Sequence, residues 1–247
     1  MTCSGLISNK KDVCLVGCMD EVVLITGASS GIGRAVAKRF YAEGYNLVLT
    51  SRSELSLEEL GFSSARVATL AGDIREESTA RELVALATRR FSRLDVVVNN
   101  AGVGVFNSVE DVSAQEFSQQ LDTNVLGPFF VVKHALPVLR EQDRGQIVMV
   151  SSLAGKNFVA GGSAYCASKW ALQGFTGSLK QELRDTHIKV GSVLPGSVDT
   201  PFFSKAGASL NQERYLAASS VAQAVLQLAQ QPVDADVDEV VLRPALK

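Results

Sequence analysis

Tyr165 and Lys169 stand four apart in the stretch Tyr165-Cys166-Ala167-Ser168-Lys169, inside a run without Pro that has helical character from Ser163 to about Asp185. On a helix, positions i and i+4 share a face, with Cβ atoms about 5–6 Å apart. A phenol titrates near ~10 and shuttles protons poorly at neutral pH. A fixed ammonium beside it favours the phenolate and lowers that value. A tyrosine brought toward working pH can then give a proton to a substrate oxygen or take one from it. The pair alone is a weak signal, because Tyr-x-x-x-Lys arises by chance on ordinary surface helices. Its weight depends on the elements that come before it.

The first such element is the apolar run Val22-Val23-Leu24-Ile25, the pattern of a parallel strand buried on both faces. It leads into Thr26-Gly27-Ala28-Ser29-Ser30-Gly31-Ile32-Gly33, and a helical pattern follows from Arg34 to Glu43, ended by Gly44. A glycine motif is informative when it joins a strand to a helix. Glycines let the backbone approach a ligand closely, and the helix N-terminus offers free N–H groups and a positive dipole end to a pyrophosphate. The plain alternative is a tight structural turn, which would not need both flanking elements.

A second strand, Asn46 to Thr50, ends at Ser51-Arg52-Ser53. About 20 residues past such glycines a carboxylate binds the adenine ribose of NAD, whereas an Arg accommodates the 2′-phosphate of NADP. Arg52 holds that position, and its fork suits a phosphate. NADP(H) is therefore the favoured cofactor. Glu54 keeps NAD(H) open, and an exposed loop Arg is the plain alternative.

The remaining pattern alternates. A short helix is expected over Leu55–Leu60, a strand at Arg66–Leu70 leading to Gly72-Asp73-Ile74, and an amphipathic helix over Glu76–Phe91. A buried strand at Asp95–Val98 ends in Asn99-Asn100-Ala101-Gly102, whose small residues permit close packing under a cofactor. After a loop carrying Phe106, a long helix is expected from Ser113 to about Leu139, containing Asn124 and kinked or broken at Gly127-Pro128 and Pro137. Strand five, Gln146–Val150, delivers Ser151 and Ser152 at its end. Strand six, Lys189–Leu194, ends at Pro195-Gly196; a helix over Val221–Gln230 and a strand over Val237–Leu242 close the chain. Such alternation implies an α/β fold, a single-domain doubly wound sheet of about seven mostly parallel strands with helices on both faces. In these sheets ligands sit beyond the carboxyl ends of the strands. The glycine turn, Arg52, Asn99, Ser152 and Pro195-Gly196 all fall there.

Composition sets limits. A chain of 247 residues with 46% hydrophobic content supports one large core, so residues 21–247 read as one domain. Residues 1–20 lack clear periodicity and read as an extension of uncertain order. A net charge of −2 gives no hint of nucleic acid or an anionic membrane surface. No apolar run reaches the ~18–20 residues that span a bilayer. Val13–Val16 is too short and too acidic in its flanks for a secretory signal. Cys3, Cys14 and Cys18 crowd the N-terminus without His or further Cys at ligand spacing, so no metal is expected. A reduced, cytoplasmic chain follows. His134 and His187 read as structural, Cys166 as a packing residue and Trp170 as core or interface.

Taken in order, the glycine turn, Asn99-Asn100-Ala101-Gly102, Asn124, Ser152 thirteen residues before Tyr165, Tyr165-Cys166-Ala167-Ser168-Lys169 and Pro195-Gly196-Ser197-Val198-Asp199-Thr200 resemble the short-chain dehydrogenase/reductase family, over nearly everything after Glu21. The resemblance implies a seven-stranded Rossmann-like sheet and hydride transfer between a nicotinamide cofactor and a carbonyl or alcohol. It implies Tyr165 as acid/base, Lys169 lowering its pKa and holding the nicotinamide ribose, Ser152 on the substrate oxygen and Asn124 holding a relay water. Gly27, Ser29, Ser30, Gly31, Ile32 and Gly33 would line the pyrophosphate. Asp73 and Ile74 would lie near the adenine, and Asn99, Ala101 and Gly102 along the ribose side. Pro195, Gly196, Val198 and Thr200 would lie near the carboxamide. Dimers or tetramers would form through the helices Ser113–Leu139 and Ser163–Asp185.

The loop from about Ser197 to Tyr215 carries Phe202, Phe203 and Leu210. With Leu153, Phe106 and Phe158 it implies an apolar pocket for a small or medium substrate. The ending Val237–Pro244 is similar to those of carbonyl reductases and 3-hydroxy-acid dehydrogenases. Oxoacyl-thioester reduction on the same machinery, and an NADP(H)-binding regulator without turnover, are the alternatives.

Overall fold

The structure is a computed structural model that describes residues 20–55, 57–207 and 215–245. Cys3, Cys14, Cys18 and Leu210 lie outside the described residues, as does the expected N-terminal extension apart from Asp20.

Strand β1 (Val22–Thr26) is buried at every position, which its unbroken apolar run requires. Helix α1 (Gly31–Ala42) follows, then β2 (Asn46–Ser51), α2 (Leu57–Leu60), β3 (Val67–Ala71), α3 (Glu77–Phe91) and β4 (Val96–Asn99). Next come α4 (Ala114–Leu121), α5 (Gly127–Glu141), β5 (Gly145–Val150), α6 (Ser163–Leu183) and β6 (Ile188–Pro195). The chain continues through β7 (Val198–Asp199), α7 (Phe202–Lys205), β8 (Leu216–Ala217), α8 (Ala218–Ala229) and β9 (Glu239–Leu242).

Seven strands form one parallel sheet in the order β3-β2-β1-β4-β5-β6-β9. The chain order reverses between β1 and β4, and this switch opens a crevice at the carboxyl edge. One face packs Val36 and Phe40 of α1 and Val221 and Val225 of α8. The other packs Leu83 of α3, Val131 and Leu139 of α5, and Leu172 and Leu179 of α6. The sheet is thus covered on both sides, as an all-parallel sheet must be.

Several boundaries differ from the sequence expectation. Helix α1 starts at Gly31 rather than Arg34, because Ser30 is already extended and acts as its N-cap residue. The long helix after Ser113 is not broken at Gly127-Pro128. A π-helical turn over Asp122–Leu126 joins α4 to α5, and Pro128 falls in the first turn of α5, where its missing N–H costs little. Pro137 lies inside α5 without ending it. Ser113 and Glu116 form a reciprocal capping box at the start of α4.

Candidate active site

The glycine turn is built by close approach. Gly27 and Gly31 have φ of +69° and +54°, a region that glycine enters without penalty. A Cβ on Gly33 would stand 2.2 Å from the Gly27 carbonyl oxygen, and one on Gly27 would stand 2.9 Å from the Ala101 Cα. The turn is stitched to the end of β4: Asn100 Nδ2 donates to the carbonyls of Thr26 (2.9 Å) and Gly27 (3.2 Å). Thr26 Oγ1 accepts from the Asn100 and Ala101 amides. The Ser30 side chain makes no capping hydrogen bond, and the first turn of α1 carries no acidic residue. Ser29 is exposed and Ile32 half-buried on either side of it. Thr200 lies over this turn, 3.2 Å from where a Gly31 Cβ would be.

At the far end of the crevice Arg52 is exposed just past β2. Asp73, expected near the adenine, is clasped by Arg75 in two-pronged contacts of 2.7–3.1 Å. That hydrogen bond is the main reason its carboxyl stays below the usual carboxylate range, with Arg52 adding a smaller Coulombic pull. Ile74 is buried against Gly127. The Asn99 side chain turns inward, its amide 3.5 Å from Met149 Sδ.

Ser152, Tyr165, Lys169 and Asn124 converge beside the middle of the crevice. β5 ends one residue before Ser151, and the next residue, Ser152, caps a short 3-10 turn by accepting from the Ala154 amide at 3.1 Å. Its side chain lies close enough to the phenol of Tyr165, which α6 delivers to the same place, to lower that group's pKa. Lys169, one turn along, is 4% exposed; its Nζ donates to the Val150 carbonyl at 3.1 Å and lies 5.8 Å from the Tyr165 ring centroid. Burial pushes the Tyr165 phenol up to about 12, outweighing the influence of Ser152 that lowers it. Burial also brings the Lys169 ammonium down to about 8. Lys169 is not among the influences on the phenol in the protein as it stands. The lysine points to a carbonyl, and desolvation dominates both groups.

Asn124 sits in the π-helical turn. Its Oδ1 accepts from the Val103 amide (2.9 Å), and its Nδ2 donates to the Val103 carbonyl (2.8 Å) and to Ser168 Oγ (2.9 Å). Ser168 in turn donates to the Tyr165 carbonyl at 2.8 Å. Both amide hydrogens are spent on the protein, so the Asn124 side chain ties the 103–107 loop to α6 and is not free to hold a relay water through them. A Cβ on Gly102 would come within 3.3 Å of Asn124 Oδ1 and 3.7 Å of Lys169 Nζ, which places the three residues together. Sequence reasoning gave Ser168 and Asn100 no role of their own, although both lie inside quoted motifs. Buried Gln120, which holds the Val105 amide at 3.0 Å, had no sequence signal at all.

Phe106 packs on Tyr165, with ring centroids 5.3 Å apart, and Phe202 does so at 5.6 Å. Leu153 touches Gly196, whose amide donates to the Leu242 carbonyl beyond Pro195, and Val198 is buried in β7. Phe158 does not join them. It is 85% exposed and stacks at 5.6 Å on Trp170, itself 44% exposed, so neither is core. His134 pairs with Glu77 and His187 with Asp143, both structural contacts. Among the described residues no cluster of three or more His, Cys, Asp or Glu side chains offers a metal site, and no helix is long and apolar enough to cross a membrane.

With this geometry in view, the comparisons agree. The family profile of the short chain dehydrogenases matches residues 21–211. An uncharacterized oxidoreductase of Staphylococcus epidermidis is 32% identical over 226 residues, covering 91% of this chain and 97% of that protein. The solved alcohol dehydrogenase of the archaeon Thermococcus sibiricus, complexed with 5-hydroxy-NADP, superposes with a TM-score of 0.80 at 31% identity, covering 90% of this chain and 96% of that one. A levodione reductase does so with a TM-score of 0.83 at 30% identity, covering 91% and 97%. A Rossmann-like parallel sheet, a glycine turn at its switch point and a serine, tyrosine and lysine drawn together beside it are joined by these matches in one conclusion: the chain belongs to the short-chain dehydrogenase family of oxidoreductases.

Proposed function

We propose that the protein is an NADP(H)-dependent oxidoreductase that interconverts a small or medium carbonyl compound and its alcohol, working as a homo-oligomer. The observation that carries this reading is the meeting of the Ser152 and Tyr165 hydroxyls beside Lys169, at the carboxyl edge of the sheet.

The residues fit a dinucleotide. The glycine cradle leaves no room for a Cβ at Gly33, and the Ser30 side chain leaves the start of α1 uncapped, so its amides remain for a pyrophosphate. Exposed Arg52 suits a 2′-phosphate, and the relative from Thermococcus sibiricus was solved with an NADP derivative. When bound, a nicotinamide supplies or accepts the hydride.

The chain's own groups handle the oxygen. Hydride arrival leaves negative charge on the carbonyl oxygen, and donors already aimed there stabilise the transition state. Ser152 Oγ can donate to that oxygen. With its pKa raised, Tyr165 is a protonated phenol through the neutral range, the state needed to pass a proton to the forming alkoxide. Lys169, on the same helix face, holds a positive charge near the phenol at pH values below its own pKa of about 8. The Asn124–Ser168 network fixes the start of α6 and with it the Tyr165 backbone.

The test is a panel of ketones, aldehydes and 3-oxoacyl thioesters assayed with NADPH and with NADH, using Tyr165→Phe as control. Turnover confined to the native protein supports the reading. Tight NADPH binding without turnover of any member would point to a cofactor-binding regulator instead.

A further inference from the structure

We infer that Phe106 and Phe202 are the walls that select the substrate, and that they select an uncharged compound with a flat ring next to its carbonyl, an aryl ketone, over a carboxylate-bearing one. The inference rests on the carbonyl-reductase reading of the same site and narrows it.

Three phenylalanine rings cluster beside the Tyr165 ring. Phe106 and Phe202 each pack on Tyr165 at tilts of about 50°, and they meet one another edge-on at 6.5 Å and 84°. Phe203 backs Phe202 at 5.3 Å and 85°. The contact is made possible by Gly104. A Cβ there would stand 2.7 Å from Phe202 Cζ and 3.3 Å from both Phe106 Cε2 and Tyr165 Cδ2, so any side chain at 104 would push the rings apart. The two loops that carry the rings are also joined through backbone: the Phe106 amide donates to the Ala206 carbonyl at 3.3 Å. The wall is therefore held by both loops, against the ring of Tyr165.

Aromatic surfaces in tilted and edge-on arrangements favour another flat ring among them. They give nothing to a carboxylate, which loses its water there and needs a cation in exchange. Among the described residues the Lys169 ammonium stands 5.8 Å from the Tyr165 ring centroid, but it is already engaged. Lys169 donates to the Val150 carbonyl, and Lys156 is paired with Glu239. No arginine or lysine figures among the influences on the Tyr165 phenol. An acid substrate such as a 3-oxo acid would be left uncompensated beside three rings.

The test titrates 1-phenylethanol and 3-hydroxybutyrate onto the full chain with saturating NADP+, by calorimetry, and assays acetophenone and acetoacetate with NADPH. The aryl alcohol is expected to bind on the order of 10²-fold tighter than the hydroxy acid. Phe106→Ala and Phe202→Ala should each cut aryl binding by about three- to tenfold, with NADPH binding retained as the check on folding, and Phe202→Leu should lie between. Equal or tighter binding of 3-hydroxybutyrate overturns the inference, and so does an aryl preference that survives all three substitutions. Selective aryl binding that depends on both rings, without turnover of either ketone, would uphold the aromatic site while refuting the reductase reading.

Discussion

The Ser152 side chain and the Tyr165 phenol meet across the gap between the end of β5 and the start of α6, two elements brought together because β5 and β6 pair and α6 packs behind them. The arrangement presents two hydroxyls to one oxygen. Removing either should slow the chemical step without loosening the cofactor. Ser152→Ala is expected to lower kcat by roughly 10²–10³, the cost of losing one donor to a developing oxyanion. Tyr165→Phe should cost at least ~10², because it removes the proton donor as well. NADPH affinity, read by fluorescence titration, should stay within about twofold. A Ser152→Ala enzyme at full speed would sink the proposed geometry.

Arg52 stands exposed just beyond β2, and among the described residues no carboxylate bonds its guanidinium, although Asp73 feels its charge. A charge-assisted hydrogen bond to a phosphate contributes roughly 1.5–3 kcal/mol. Arg52→Ala should therefore raise the KM for NADPH by about 10–100-fold and leave that for NADH nearly unchanged. Equal changes in the two constants would show that Arg52 does not read the 2′-phosphate.

How much of this was legible in the sequence depends on the range of the interaction. β1 and the glycine turn were readable because an unbroken apolar run and glycines at fixed intervals are local signals, and local sterics at Gly27 and Gly33 enforce them. The π-helical turn at Asp122–Leu126 was not, since it is a register slip within a helix whose local propensity is unchanged, and Pro128 misdirected the expectation by suggesting a break. The desolvation of Tyr165 and Lys169 was not legible for a related reason. Spacing on a helix gives proximity to Tyr165 but not desolvation, which depends on everything packed around both groups. Phe158 was placed in the pocket on composition alone, whereas the short turn after Ser152 carries it out to Trp170.

The outer face of α4, the π-helical turn and α5 shows Phe117, Leu126 and Phe129 about 39% exposed, and Phe129 packs on Phe175 of α6 at 6.1 Å. Large apolar groups gathered on two adjacent helices mark an association surface. Phe129→Asp is expected to shift the proposed homo-oligomer toward monomer in sedimentation velocity while the monomer keeps its helical content. An unchanged sedimentation coefficient would place the interface elsewhere.

Lys169 also leaves a signature in stability. Its folded pKa of about 8 lies below the ordinary 10.5 because burial penalises the charge. Between those values the unfolded chain binds the extra proton, so stability rises with pH across that window; the contribution is complete above 10.5 and lost as pH falls through 8. Below pH 8 the buried charge costs about 3 kcal/mol. Lys169→Met removes that cost but leaves the Val150 carbonyl without its donor, which takes back about 1 kcal/mol. The variant should thus be inactive yet about 2 kcal/mol more stable than the native protein at pH 7, with the advantage shrinking between pH 8 and 10. Tyr165, whose pKa is raised, loses stability only as pH climbs from 10 toward 12, and it does so in both proteins, so the difference between them isolates the lysine. Urea titrations of the two proteins at pH 7, 8, 9 and 10 make the measurement. A gap that stays constant over that range would mean that Lys169 keeps an ordinary pKa in the folded chain.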